Sequence, residues 1–124
     1  MRTVLLVERD KALSQKFSSL LKDRGVNIDL CNRVGSAIER LRYFTYDALV
    51  VDFGSKGLRP AEVIPILKKI SPRVPIIALT EKTESFLEEE IQKAGVFTCL
   101  LKPVKDGVFT DTIDRAVQNK ETAH

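Results

Sequence analysis

The chain of 124 residues contains one histidine, His124, and it is the last residue. Histidine-based catalysis and histidine-built metal sites are therefore excluded as organising chemistry. Cysteine is almost as scarce: Cys31 and Cys99 form neither a metal-binding spacing nor a disulfide framework. No apolar run approaches the ~20 residues that a membrane helix needs. The opening "MRTVLLVERD" has a short apolar run, immediate charges and no small-residue cleavage site, so it reads as a first strand and not a signal peptide. A bias of charge is also lacking. Twenty basic residues are scattered among seventeen acidic ones, for a net charge of +3. Without clustering this is a solvated mixed surface, not a nucleic-acid footprint. A cytoplasmic protein is expected, with no membrane partner and no nucleic acid bound by this segment.

What is present suits one domain. The composition is 44% hydrophobic and 30% charged, enough apolar material for a core. Apolar runs at 3–7, 26–31, 47–52, 74–80 and 96–101 alternate with helical patterns. Four runs are nearly continuous, as parallel strands buried on both faces should be. In the second, Val26, Ile28 and Leu30 alternate with Asn27, Asp29 and Cys31, the pattern of an edge strand.

Between the runs the period becomes helical. Leu13, Phe17, Leu20 and Leu21 form one stripe, with Asp10 placed to cap it and Gly25 to end it. Val34, Ala37, Ile38 and Leu41 form a second; Val63, Leu67 and Ile70 a third, in which Pro65 should kink or delay the helix. Phe86, Leu87, Ile91 and Ala94 form a fourth, and Val108, Phe109, Ile113, Ala116 and Val117 a fifth. The charged stretch "EKTESFLEEE" reads as a solvated helix face. Strand–helix alternation predicts an α/β fold: a flavodoxin-like, doubly wound, five-stranded parallel sheet in the order 2-1-3-4-5 with five helices. The domain is expected over 1–119, with 120–124 a polar tail or the start of a linker. Cys31 and Cys99 then lie on opposite edges, beyond the ~7 Å reach of a disulfide, and should be free thiols.

In such sheets the site forms at the carboxyl ends of the strands, beside the switch in strand order. The runs end in Glu8, Arg9 and Asp10; in Asp52; in Thr80; and in Lys102 followed by Pro103. Acids, a hydroxyl and a lysine at one rim make a set for oxyanions and a hard cation. Each has a plainer reading: Asp52 as a turn cap, Thr80 as a strand end, Lys102 as a surface ion-pair partner, and Asp10 as a helix cap ahead of any metal role.

"VLLVERD", "ALVVDFG", "PIIALT" and "LLKP", in this order and each ending its own strand, resemble the receiver domains of bacterial response regulators over about residues 2 to 119. That resemblance implies phosphoryl transfer from a histidine kinase to an aspartate with Mg²⁺, in a signalling module that is not itself an enzyme. Asp52 matches the phosphoacceptor. Lys102 and Thr80 match the phosphoryl-binding lysine and hydroxyl, and Glu8, Asp52 and the Gly54 carbonyl match the metal site. A kinase or other signalling protein is the implied partner, with helices four and five as a homodimer surface.

The sequence departs from that pattern in several places. Arg9 stands where the resemblance implies a second acid that ligates Mg²⁺. A guanidinium held ~5 Å from Mg²⁺ repels it by roughly 7 kcal/mol at an effective dielectric of ~20. A millimolar site is worth only about 4 kcal/mol. The reading favoured is an inward Arg9 paired with Asp52 or Glu8, blocking the metal. If Arg9 is solvated, Glu8, Asp52 and Gly54 hold a weakened site. Glu81 replaces a small residue after the hydroxyl, and Cys99 replaces an aromatic three positions before the lysine. The loop "FGSKGLRP" lacks the usual proline at Lys56, which is either a second cation near Asp52 or a solvated lysine. These departures favour an atypical, degenerate receiver acting as an interaction module, over a working phosphoacceptor. A flavodoxin-like cofactor binder is disfavoured because "ERDKALSQ" supplies no phosphate loop.

Overall fold

The computed structural model describes residues 2–54, 58–81 and 85–122. Strands and helices alternate throughout: β1 (Thr3–Val7), α1 (Lys11–Lys22), β2 (Asn27–Cys31), α2 (Val34–Tyr43), β3 (Ala48–Asp52), α3 (Pro60–Ile70), β4 (Ile76–Glu81), α4 (Ser85–Lys93), β5 (Thr98–Lys102) and α5 (Asp106–Thr122). All strand pairs are parallel, and the sheet order is β2-β1-β3-β4-β5, as the sequence predicts.

The period-2 alternation of the strands divides the core. Val4, Leu6, Ala48, Val50, Ile77 and Leu79 face one side, where they bury Phe17 and Leu21 of α1 and Phe109, Ile113 and Ala116 of α5. Leu5, Val7, Leu49, Val51 and Ala78 face the other, against Ala37 and Leu41 of α2, Ile64 and Leu67 of α3, and Ile91 of α4. On the first side the Phe17 and Phe109 rings stack with centroids 4.1 Å apart.

Local signals fix the ends that matter for the site. The Asp10 carboxylate accepts from the Leu13 amide at 3.1 Å and caps α1. Gly25, at φ +73°, closes that helix, its amide donating to the Lys22 carbonyl at 2.9 Å. Pro60 starts α3, and the helix continues through Pro65, so it is not delayed. Pro65 is exposed, which leaves the carbonyl it cannot serve on the solvent side.

Three expectations need correction. Phe86 is 77% exposed and does not belong to the α4 stripe, which is Leu87, Ile91 and Ala94 at the i, i+4, i+7 positions of one face. On β2, Leu30 is exposed and Cys31 buried, the reverse of the alternation at that end. Asp29 is held there by Arg40 at 2.6 Å and by the Tyr46 hydroxyl. Finally, α5 runs through the boundary expected at 119/120 and ends at Thr122. The Lys120 ammonium donates to the Tyr46 carbonyl and lies 3.8 Å from Asp47, so this residue is docked.

Candidate functional site

The carboxyl ends of β1, β3, β4 and β5 meet at one rim. β1 stops at Val7, and the Glu8 amide donates to the Cys31 carbonyl at 3.0 Å. This carries the Glu8 side chain inward, where it is 3% exposed. Its Oε2 accepts from the Asp10 amide at 3.3 Å, while Oε1 is buried without a hydrogen-bond partner. Burial first, and then the neighbouring Asp52 carboxylate, raise the Glu8 carboxyl to about 7, against the smaller opposing effects of the Asp10 amide and Lys102.

Asp52 ends β3 and is 3% exposed. Its Oδ1 accepts from the Gly54 amide at 2.8 Å, and its Oδ2 pairs with the Lys102 ammonium. Lys102 ends β5 beside Glu81, its register partner on β4, and lies 3.5 Å from the Glu81 carboxylate. Burial pulls the Lys102 ammonium down, but Asp52, Glu8 and Glu81 together outweigh it, and the net shift is upward. The lysine is charged at any physiological pH. Thr80 is fully buried, and its Oγ1 has no hydrogen-bond partner. Gly54 lies close under this group: a Cβ there would sit 3.0 Å from Asp52 Oδ1, and 3.1 Å from both Glu81 Oε1 and Lys102 Nζ.

The structure therefore brings Glu8, Asp52, Gly54, Glu81 and Lys102 together, with Thr80 on the adjoining strand end. Arg9 is different. Its side chain is exposed and makes no ion pair or hydrogen bond among the described residues, so the expected inward pairing with Asp52 or Glu8 is not formed. Lys102 and Gly54 already occupy both Asp52 oxygens, which leaves the guanidinium no buried partner strong enough to offset its desolvation. Asp10 is occupied by its capping bond. Cys99 is half-buried on β5, and burial, helped by Glu88, pushes its thiol up to about 11. Lys56 lies outside the described residues.

Sequence reasoning missed the loop after β2. Asn32 and Arg33 join Val7, Arg9, Val34, Asp52 and Leu58 around a cavity of about 210 Å³. The signal was available in "CNRV": in the order 2-1-3-4-5 the loop after strand two is adjacent to the end of strand one.

Five parallel strands in this order, with an acid, a hydroxyl and a lysine on one rim, make a flavodoxin-like, doubly wound domain. A family model described as the response regulator receiver domain matches residues 4–114, and the chain belongs to that family. The signal transduction histidine-protein kinase BarA of Escherichia coli K12 is 27% identical over 107 residues, which cover 84% of this chain and 12% of BarA. The transcriptional regulatory protein ZraR of the same strain is 23% identical over 114 residues, 92% of this chain and 26% of ZraR. The chain thus spans a small part of the curated relatives it matches. Among solved structures, a CheY-like receiver domain protein from Methanospirillum hungatei JF-1 aligns with TM-score 0.90 at 16% identity, covering 100% of this chain and 99% of that one. The receiver domain of the sensor histidine kinase PA1611 from Pseudomonas aeruginosa PAO1, with magnesium coordinated in its active-site cleft, aligns with TM-score 0.83 at 24% identity, covering 94% of this chain and 98% of that one.

Proposed function

We propose that the chain is an atypical receiver: a signalling interaction module in which Asp52 still accepts a phosphoryl group, with weakened support from Mg²⁺. The observation that carries this reading is the intact Asp52–Lys102 pair next to a buried, unpartnered Thr80 hydroxyl. A buried polar atom without a partner is costly, and its persistence marks a site built for a visiting group. An Asp52 oxygen attacks the phosphorus of a phosphohistidine; the P–N bond breaks, and the imidazole nitrogen keeps the electron pair. Lys102 holds the negative charge that accumulates, and Thr80 donates to the group once it has arrived.

The residues fit Mg²⁺ in kind. Glu8 and Asp52 offer hard carboxylate oxygens, Glu8 Oε1 is unsatisfied, and the Gly54 carbonyl is adjacent in the chain. The set is sparse, because among the described residues no three acidic, histidine or cysteine side chains are placed to hold a metal ion. When bound, the ion would supply charge neutralisation for the transferred group. A working but metal-poor site is thus favoured over a blocked one, since Arg9 does not fill the pocket.

A second reading, an interaction module indifferent to phosphate, draws support from Glu81, which shares Lys102 with Asp52. It also draws on Cys99, which cannot make the aromatic rotamer change associated with this family. The partners proposed are a histidine kinase or another signalling protein, with α4 and α5 as a homodimer surface. Beryllofluoride with millimolar Mg²⁺, followed through backbone amide shifts around Asp52, separates the two. Saturable shifts at Asp52, Thr80 and Lys102 are expected. A spectrum unchanged at every Mg²⁺ concentration would establish the phosphate-indifferent module instead.

A further inference from the structure

We infer that Arg9 and Arg33 form a built-in cationic clamp for a phosphoryl-type oxyanion at Asp52, taking over charge neutralisation that would otherwise fall to a divalent cation. The inference rests on the reading of Asp52 as a phosphoacceptor and adds residues to that site. Its basis is a single juxtaposition: both arginines, Asn32 and Asp52 border the same cavity of about 210 Å³. That is room for a tetrahedral oxyanion together with a few hydrating waters.

Charge balance gives the cavity its purpose. Glu8, Asp52 and Glu81 surround one ammonium, Lys102, which two carboxylates already engage. A dianionic group added to Asp52 would enter a cup with too little positive charge to hold it. Arg9 and Arg33 line the cavity that Asp52 also borders, and neither side chain has an ion pair or hydrogen bond among the described residues. Three arginines elsewhere are engaged, Arg24 with Asp114 at 2.6 Å, Arg40 with Asp29 at 2.6 Å and Arg59 with Glu62 at 3.7 Å, whereas Arg42, Arg73 and Arg115 are as uncommitted as Arg9 and Arg33; what sets these two apart is the cavity they share with Asp52. An anion entering that cavity would meet two guanidinium-bearing side chains that need give up no protein partner to bind it. Among the described residues on the cavity lining, Asp52 is the sole acid.

The backbone contributes in the same sense. α2 begins at Val34 on the cavity wall, has no side-chain cap and has no acidic residue in its first turn. Its free amides and dipole add partial positive charge. The guanidinium fork suits two oxygens of a phosphoryl group, and its exposure in the unliganded protein leaves it free to close inward.

The test uses the whole chain, with beryllofluoride as the probe and amide shifts as the readout, in Mg²⁺ and in excess chelator. The clamp predicts that binding persists in chelator. It should weaken roughly tenfold or more in the Arg9→Gln, Arg33→Gln double variant, the effect of losing charge-assisted bonds. Arg9→Lys should retain part of the affinity. Arg9→Asp should shift the site toward dependence on Mg²⁺. Both arginines are exposed, so unchanged amide dispersion outside the site will show that the variants fold. Binding that requires Mg²⁺ and ignores both substitutions would overturn the clamp while leaving Asp52 a phosphoacceptor. No binding with or without Mg²⁺ would overturn the phosphoacceptor reading beneath it.

Discussion

Glu8 shows how one residue can be anticipated in place and still behave unexpectedly. Its position at the rim followed from the end of the first apolar run, but its protonation depends on burial that composition cannot report. Below about pH 4.5, the ordinary value, the carboxyl is neutral in both the folded and the unfolded chain. Between 4.5 and about 7 the unfolded chain has lost the proton and the folded chain keeps it, so stability falls as pH rises. Above 7 the whole penalty applies, up to about 3 kcal/mol. Glu8→Gln should abolish that slope, leaving a protein more stable than the parent at pH 8 and similar at pH 4. Urea unfolding across the pH series measures it, and parallel curves for the two proteins would refute it. Lys102→Ala should cost roughly 3 kcal/mol at neutral pH, because it strands a buried Asp52 carboxylate. Adding Asp52→Asn should recover much of the loss in a double-mutant cycle. Arg9 was misjudged for a geometric reason. The strand stops at Val7, so period-2 alternation no longer determines which side chain turns inward, and Glu8 alone takes the buried position.

The elements themselves were legible wherever periodicity and caps agreed. All ten appear in the predicted order, and α1 is bounded by the Asp10 and Gly25 signals named from sequence. Asp10→Ala should therefore cost about 1 kcal/mol, seen as a lower urea midpoint with the site amides little changed. Strand boundaries were less legible, because hydropathy reports burial while a strand is defined by its ladder of hydrogen bonds. Val74 and Pro75 are apolar but precede β4, whereas Glu81 is charged and still pairs with Lys102 in register. Both strands thus extend one residue further than their apolar runs, and those extra residues belong to the site. Phe86 misled for a related reason. A single apolar residue at the start of a helix, next to a stripe of proper spacing, is counted with it until the helix is oriented on the sheet.

On the scale of the whole molecule, the sheet separates two packed layers, and the contribution of an aromatic depends on which layer, if any, receives it. Phe109 is fully buried against Phe17, so Phe109→Ala should cost about 3–5 kcal/mol. Phe86→Ala, at a residue 77% exposed, should change stability by less than about 0.5 kcal/mol. Parallel urea denaturation of the two variants gives the comparison, and similar losses would contradict the layer assignment. The strand order was recoverable because the edge strand β2 alternates in composition while the other runs are nearly continuous, although β5, the opposite edge, is only half-buried; the loop geometry at Asn32 and Arg33 was not, since it depends on how neighbouring strand ends are staggered. The same order has a practical consequence for handling the protein. Cys31 and Cys99 terminate or occupy opposite margins of the sheet, one buried and one half-buried. Air oxidation of folded material can then only tether one molecule to another through Cys99, so a doubled band on a non-reducing gel reports native chains, while a faster-running monomer band reports chains that have already come apart.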